Sequence, residues 1–571
     1  MGGAGHPDRC GACGRPPPRA ARAIRVNPVL PGCHPDPSVV RVGADYYLVT
    51  STFEYFPGLP LFHSTDLERW APIGHAIDRA DQLDLSTVPA SGGLFAPTIR
   101  HHDGTFFIVN TLVAGSGRQG TFVITATDPA GDWSDPVWLD DAPGIDPSLF
   151  FDDDGRAWIC GTELASPGLW EGQTEVWLSE FDPVALRLIG PRHPIWHGAL
   201  HGAVWAEGPH LYRVDDRYYL LAAEGGTERN HAVCIAVAET VTGPYRGDPA
   251  NPVLTHRHLG RSAGIVGVGH AELVETPAGG WAAFLLATRA VPTSDARVAP
   301  GDAAPAPEVA APAPRGAAVV QGSPAERTGS TLGRETVRVA VAWEDGWPVF
   351  APGVGLVVAE PSPDVAVHDD FDDATLAPEW TLVRTSTESR YDLGARPGFL
   401  RLPARAATLT AVGAPAFVGR RQQHLRATLT ARVEFAPGGA GAGAGADAGA
   451  GATAGLAVRQ SESAQLRLEL DARGSVRAVI RADDRDTLLG SVRADRLDAS
   501  FAATLSIRLD GFDATFVVDG VDLARCSTLA LSSEHAGGFL GVWMGAFASG
   551  NGSDSPATLD VDWMRYDGSD L

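Results

Sequence analysis

The sequence predicts an all-β protein of two domains, a five-bladed β-propeller followed by a β-sandwich. Three observations carry that expectation. Aromatic and β-branched runs recur about every 60 residues through the first half of the chain, and long, strictly alternating strands replace them beyond residue 361. Turn formers are abundant throughout, with 66 Gly and 43 Pro among 571 residues, which suits many short strands better than helices.

The repeat is read from residues 46–49 (YYLV), 106–109 (FFIV), 157–160 (AWIC), 218–221 (YYLL) and 281–284 (WAAF). Taking Tyr47, Phe107, Trp158, Tyr219 and Trp281 as markers, the spacings are 60, 51, 61 and 62 residues. That period is too long for helical solenoids and suits a four-stranded antiparallel blade with generous loops. An Asp-to-Trp echo follows the first two runs, DLERW at 66–70 and DPAGDW at 128–133. Residues 292–330 are dominated by Ala, Pro and Gly, a composition that buries too little apolar area to offset its ordering entropy, and they are expected to form a mobile loop. From Thr331 the strand pattern resumes and closes the propeller, which spans 27–360.

The second domain, 365–571, reads as half-buried antiparallel strands. Leu505, Ile507 and Leu509 share one face, Asp510 and Gly511 supply a hairpin turn, and Leu559, Val561 and Trp563 repeat the alternation. Residues 437–455, rich in Gly and Ala, are expected to be a flexible insertion. Residues 1–26 read as a disordered leader. Its Cys10 and Cys13 form a lone CxxC, with no second pair at zinc spacing.

Composition narrows the function. The formal charge is −24, and all 45 basic residues are Arg, so phosphate backbones and anionic membranes are poor partners. No window of eighteen apolar residues occurs, the N-terminus lacks a secretory apolar stretch, and the six cysteines are scattered; a cytoplasmic location is expected.

In a propeller the starts of the inner strands converge on the axis, so polar residues at blade spacing can meet. Asp36 (HPDPS), Phe95 (GGLFAP), Asp146 (GIDPS), Glu207 (AEGPH) and His270 (GHAEL) are separated by 59, 51, 61 and 63 residues, the rhythm of the repeat. Two carboxylates flanking a bond, one protonated and one ionised, are the apparatus of glycoside hydrolysis, and a third raises the pKa of its neighbours. Spacing alone leaves open that Asp36 and Asp146 merely cap turns.

These motifs, with NPVLPGCHPDPSVVRVGADYYLVTSTFEYFPG from Asn27 and LGRETVRVAVAWEDGWP from Leu332, resemble the family 43 glycoside hydrolases. The likeness is greatest to the two-domain β-xylosidases, whose C-terminal sandwich is resembled by RPGFLRL from Arg396, VGRRQQHLRATLTARVEF from Val418 and the Gly-Gly-Phe ending at Phe539. The resemblance implies an inverting hydrolase on a five-bladed propeller with a concanavalin-like jelly roll behind it. Asp36 matches the general base, Glu207 the general acid and Asp146 the residue that tunes and orients the acid. Arg334, Phe53 and Phe95 match positions that hold or line the terminal sugar, and Phe539 matches a Phe-bearing loop by which the sandwich closes the pocket. His270 matches an axial histidine that in some relatives stands beside a bound cation, for which a hydrated Ca²⁺ is the expectation; no cofactor is otherwise implied. A homo-oligomer is expected on the same ground.

Cys33 and His34 stand where relatives usually carry an aromatic and an Asn, and Phe95 stands where Trp is usual, so sugar preference is open. The reading adopted is an exo-acting β-xylosidase on xylo-oligosaccharides. An α-L-arabinofuranosidase or bifunctional enzyme is the alternative; a non-catalytic sugar-binding propeller and a fructan-cleaving hydrolase fit less well, and an open channel would suit an endo-acting arabinanase.

Overall fold

The computed structural model describes residues 27–260, 262–292, 328–438, 451–497 and 500–570. Among them, five antiparallel sheets follow one another along the chain, each built from strands of one contiguous stretch of sequence. The innermost strands are Ser38–Val42, Thr98–His102, Ile145–Phe151, Glu207–Val214 and Ile265–Glu275, and each packs beside the next around one axis, the fifth returning to the first. The five markers of the sequence repeat all fall on second strands: Asp45–Val49, Thr105–Val113, Ala157–Leu164, Arg217–Glu224 and Trp281–Arg289. The sequence period is therefore the blade period, and it is strongest on the second strand because that strand is covered on both faces.

The fifth blade is completed by Glu335–Glu344 and Trp347–Phe350, as expected. The ring is tied shut by the start of the chain: the Val29 and Leu30 amides donate to the Thr336 carbonyl, and Asn27 Nδ2 donates to the Arg338 carbonyl at 2.8 Å. The expected loop 292–330 is shorter at both edges, because Val291–Pro292 pairs with Thr328–Gly329. Residues 293–327, the leader 1–26 with Cys10 and Cys13, and 439–450 of the Gly/Ala insertion lie outside the described residues. The end of that insertion is not loop: Thr453, Ala454 and Gly455 open the buried strand Thr453–Arg459.

The sandwich has one sheet centred on Arg426–Ala436, between Thr558–Ser569 and Ser500–Asp510, and a second ordered Ala416–Arg421, Trp543–Ser549, Thr453–Arg459, Gln465–Asp471, Ser475–Ala482 and Arg485–Arg493. Leu505, Ile507 and Leu509 are buried on one face, and Gly511 with φ 55° turns the hairpin to Asp513–Val518. Trp563 departs from its expected place in the core. The register of Thr558–Ser569 against Arg426–Ala436 slips at Asp562, which reverses the alternation, so Met564 and Tyr566 are buried and Trp563 is half exposed.

The two domains share main chain and core. Leu382–Val383 of the sandwich pairs with Tyr55–Phe56 of the propeller, and Trp543 stacks on Tyr55 with ring centroids 3.8 Å apart. Behind that stack lies a buried ionic cluster. Arg459 donates to Glu54 (3.2 Å), the Tyr55 hydroxyl (2.9 Å) and Glu462 (2.7 Å), and Arg384 reaches Glu462 at 2.5 Å. Burial pushes the Glu54 carboxyl up, against the pull of Arg459 and Arg384. Removing one partner of such a cluster leaves the others buried without their charge. Arg459→Met is expected to destabilise the fold by about 3–5 kcal/mol in denaturant unfolding, well beyond a surface substitution.

Candidate active site

All five inner strands begin with the same irregularity. Asp146 and Pro147 bulge opposite Gly161, Gly208 and Pro209 opposite Ala222, and His270 and Ala271 opposite Leu285. In the first two blades Asp36 with Pro37 and Ala96 with Pro97 occupy the same place, between the ladder that follows and the bonds from Ser51 N to Pro35 O and from Phe95 N to Thr111 O. The bulge re-aims the leading side chain from the blade into the axis. Asp36, Asp146 and His270 do this with φ of 56°, 54° and 49°, a left-handed conformation that non-glycine residues rarely adopt and that concentrates at functional sites.

This register refines the spacing argument. The equivalent positions in blades two and four are Ala96 and Gly208, so Phe95 and Glu207 stand one residue earlier, at the entrance to the bulge. Gly208 serves a steric need: its φ is 56°, and a Cβ there would meet the His270 ring at 2.9 Å. Its amide donates to Asp146 Oδ2 at 3.0 Å, which fixes the peptide that follows Glu207.

The structure brings all eight sequence-nominated residues together. Asp36 accepts from the Ser51 hydroxyl (2.7 Å) and from Arg334 Nη1 (3.3 Å), and His270 Nδ1 lies 3.8 Å from its Oδ1. Arg334 Nη1 also donates to the Thr227 hydroxyl (2.8 Å), and its Nε donates to the Phe539 carbonyl (3.4 Å). The guanidinium lies over both the Phe53 and Phe539 rings, 5.6 and 5.3 Å from their centroids. Phe95 meets the same two rings edge to face, at 5.4 and 6.0 Å. Phe539 comes from the sandwich, and its amide donates to the Ser91 hydroxyl at 2.9 Å. Glycines at 333 and 541 let the Arg334 segment and the Phe539 loop touch backbone to backbone, since a Cβ on either would strike the other.

The carboxylates separate electrostatically. Burial alone would raise Asp36, but Arg334, His270 and the Ser51 hydrogen bond outweigh it and hold the carboxyl below its ordinary value. Glu207 is pushed well above its ordinary value by burial, then by the charges of Asp146 and Asp36. Asp146 is raised too, by burial and by Asp36, against the pull of His270 and the Gly208 amide. One ionised and one protonated carboxyl therefore coexist near neutrality, as acid–base cleavage requires.

Beneath them the axis is filled by a polar floor. Glu272 pairs with Arg100 and accepts from the Val39 amide (2.8 Å), while Ser148 hydrogen-bonds His210 Nδ1 at 3.1 Å. Ser51, Thr227, the Gly208 amide and this floor were invisible to spacing, because hydroxyls and backbone amides carry no signature in one sequence. Cys33 packs behind the pocket wall, in the apolar cluster of Phe53, Tyr55 and Trp543 on which Phe95 and Phe539 rest, and the His34 ring abuts Phe62. The donors near His270 do not fit a directly held cation: both Asp36 oxygens are engaged by Arg334 and Ser51, and among the described residues no three His, Cys, Asp or Glu side chains converge on a metal position. No step is assigned to a metal.

The model for "Glycosyl hydrolases family 43" matches residues 25–348, and that for "Beta xylosidase C-terminal Concanavalin A-like domain" matches 368–567. The chain belongs to glycosyl hydrolase family 43. It is 35% identical over 561 residues to a "Xylosidase/arabinosidase" of Butyrivibrio fibrisolvens, covering 95% of this chain and 99% of that one. It is 36% identical over 557 residues to a non-reducing end α-L-arabinofuranosidase of Bacteroides ovatus, covering 95% and 94%. The crystal structure of xylan β-1,4-xylosidase from Bacillus halodurans superposes with a TM-score of 0.79 at 30% identity, over 95% of this chain and 99% of that one. This family 43 member is thus a glycoside hydrolase with a propeller and a concanavalin-like domain.

Two outcomes follow from the carboxylate electrostatics. A group whose folded pKa lies above its unfolded value weakens the fold as pH rises from the unfolded value through the folded one; Glu207 is such a group, so Glu207→Gln should flatten the loss of thermal stability between acid and neutral pH. Asp146→Asn removes a negative neighbour of Glu207, and the basic limb of kcat/KM against pH should move to lower pH.

Proposed function

We propose that this family 43 hydrolase removes terminal β-D-xylose from the non-reducing ends of xylo-oligosaccharides with inversion. Asp36 takes a proton from water as that water attacks the anomeric carbon, and Glu207 gives its proton to the departing glycosidic oxygen. Asp146 keeps Glu207 protonated and, through the Gly208 amide, oriented. Arg334, already bound to Asp36 and Thr227, offers its remaining N–H groups to sugar hydroxyls.

The observation that carries the reading is the pKa separation of Asp36 from Glu207 within a pocket walled by Phe53, Phe95 and Phe539. The Phe539 loop narrows the pocket from the sandwich side, which supports cleavage of one terminal sugar at a time rather than passage of a polymer. The xylosidase names among full-length relatives support the xyloside. The Bacteroides ovatus relative supports the second reading, an α-L-arabinofuranosidase, whose terminal sugar presents similar hydroxyl geometry to Arg334.

The test compares the wild type with Glu207→Ala on p-nitrophenyl β-D-xylopyranoside, p-nitrophenyl α-L-arabinofuranoside and xylobiose, with NMR of the first-formed anomer. α-Xylose should appear first, and xylobiose turnover should fall about 10²–10⁴-fold in the variant. The aryl xyloside should lose less, because p-nitrophenolate departs without a proton. A β-anomer formed first would overturn inversion, and preference for the arabinofuranoside would establish the second reading.

A further inference from the structure

The sandwich contains a second polar cavity, away from the catalytic axis. Leu466, Leu468 and Leu470 of one strand are buried in the sandwich core, so by the two-residue period Arg467 and Glu469 lie on the other face of that sheet. The propeller covers part of this face, where Arg459 meets Glu54 and Trp543 meets Tyr55. Farther along the sheet, Arg467, Glu469, Arg477, Asp486 and Phe547 border a cavity of about 230 Å³, closed by the segment around Thr408 and by Asn551. Asp486 and Asn551 are exposed, which gives the cavity access to solvent.

Its charges are already balanced. Glu469 accepts from Arg467 Nε (3.2 Å) and Arg477 Nη2 (2.8 Å), Asp486 accepts from Arg467 Nη2 (2.6 Å) and Arg481 Nη1 (3.1 Å), and Asp484 accepts from Arg481 Nη2 (3.2 Å), so that three guanidiniums meet three carboxylates. Two donors remain: Arg467 Nη1 and Arg477 Nε are buried with no hydrogen-bond partner among the described residues, although Arg467 as a whole is only 7% exposed. Buried donors call for acceptors. An anion would add uncompensated charge to a neutral network, whereas hydroxyl and ring oxygens of a neutral ligand would satisfy the donors without it. The Asn551 amide nitrogen donates to Thr453 (3.1 Å) and to the Gly451 carbonyl (2.7 Å), which leaves its oxygen to accept from a ligand hydroxyl. The Phe547 ring supplies an apolar wall for a sugar face. The volume is below the roughly 300–1,000 Å³ of drug-sized sites and equals about eight waters at ~30 Å³ each, room for one ring.

We propose that this cavity is a second, non-catalytic carbohydrate site that holds one neutral sugar ring. The choice of a pentose as that ring rests on the function proposed above; the cavity and its unsatisfied donors do not. Such a site would hold an oligosaccharide on the sandwich while the propeller acts on chain ends.

The test uses the full-length Glu207→Gln variant, which binds without turnover, with xylobiose, D-xylose and L-arabinose as probes. Crystals soaked in xylobiose should show sugar in both the axial pocket and the sandwich cavity, and solution titration should give two sites per chain. Adding Asn551→Ala or Arg477→Gln should weaken only the second site, by about tenfold for one lost hydrogen bond. The same substitutions in the wild type should leave aryl xyloside hydrolysis unchanged. Waters alone in the cavity with all three probes, or a second site indifferent to both substitutions, would overturn the proposal. Sugar in the cavity of a protein that hydrolyses neither aryl pentoside would instead overturn the proposed function and leave the site standing.

Discussion

The site depends on one guanidinium. Three carboxyl groups and an imidazole are driven to a common axis by the blade bulges, and the Arg334 guanidinium acts on all three carboxyl groups. It binds Asp36 directly, which keeps that carboxylate ionised despite burial, while the uncompensated remainder of the negative field falls on Asp146 and Glu207. The difference in protonation between base and acid is therefore set by where a single charge sits. The same side chain is held by a hydroxyl of blade four, a carbonyl of the sandwich and two aromatic faces, so it cannot follow either carboxylate if the pocket relaxes.

That arrangement makes the sandwich part of the site. Phe539 and its carbonyl reach Arg334 only because the six-strand sheet is docked on blade one, and the docking sets a buried ionic cluster beside a shared apolar core. Arg459 and Arg384 are essentially buried, as is Glu54, next in the chain to Phe53. Buried ion clusters of this kind contribute little net stability over a hydrophobic contact, but they tolerate only one geometry. Here that geometry sets the wall of the sugar pocket. A loosened interface would draw Phe539 away from Phe53 and open the pocket wall.

The propeller axis has a related division of labour. Immediately beyond the bulges, the inner strands place Ser38, Ser148, His210 and Glu272 on the axis, and Arg100 bridges Glu272 and His210. His210 is kept neutral by burial and by Arg100. The floor thus satisfies its own charges, and the polar groups above it remain directed at substrate.

The sequence by itself determined the blades and the catalytic types. A period near 60 residues is set by local chemistry: each second strand needs aromatic and β-branched residues to fill the space between neighbouring blades, and four of the five inner strands enter the bulge through a rigid X-Pro step (Asp36-Pro37, Ala96-Pro97, Asp146-Pro147 and Gly208-Pro209), His270-Ala271 being the exception. Asp36, Asp146, Glu207 and His270 could be named because they ride on that period. Register was decided only in three dimensions. Whether Glu207 or Gly208 leads its strand, and whether Trp563 faces the core, depends on one-residue slips that cost the sequence pattern nothing yet reverse every side chain beyond them. Ser51, Thr227, Arg459 and the sandwich cavity were likewise decided by tertiary structure, because each acts through a partner tens to hundreds of residues away, and no local rule encodes a contact of that range.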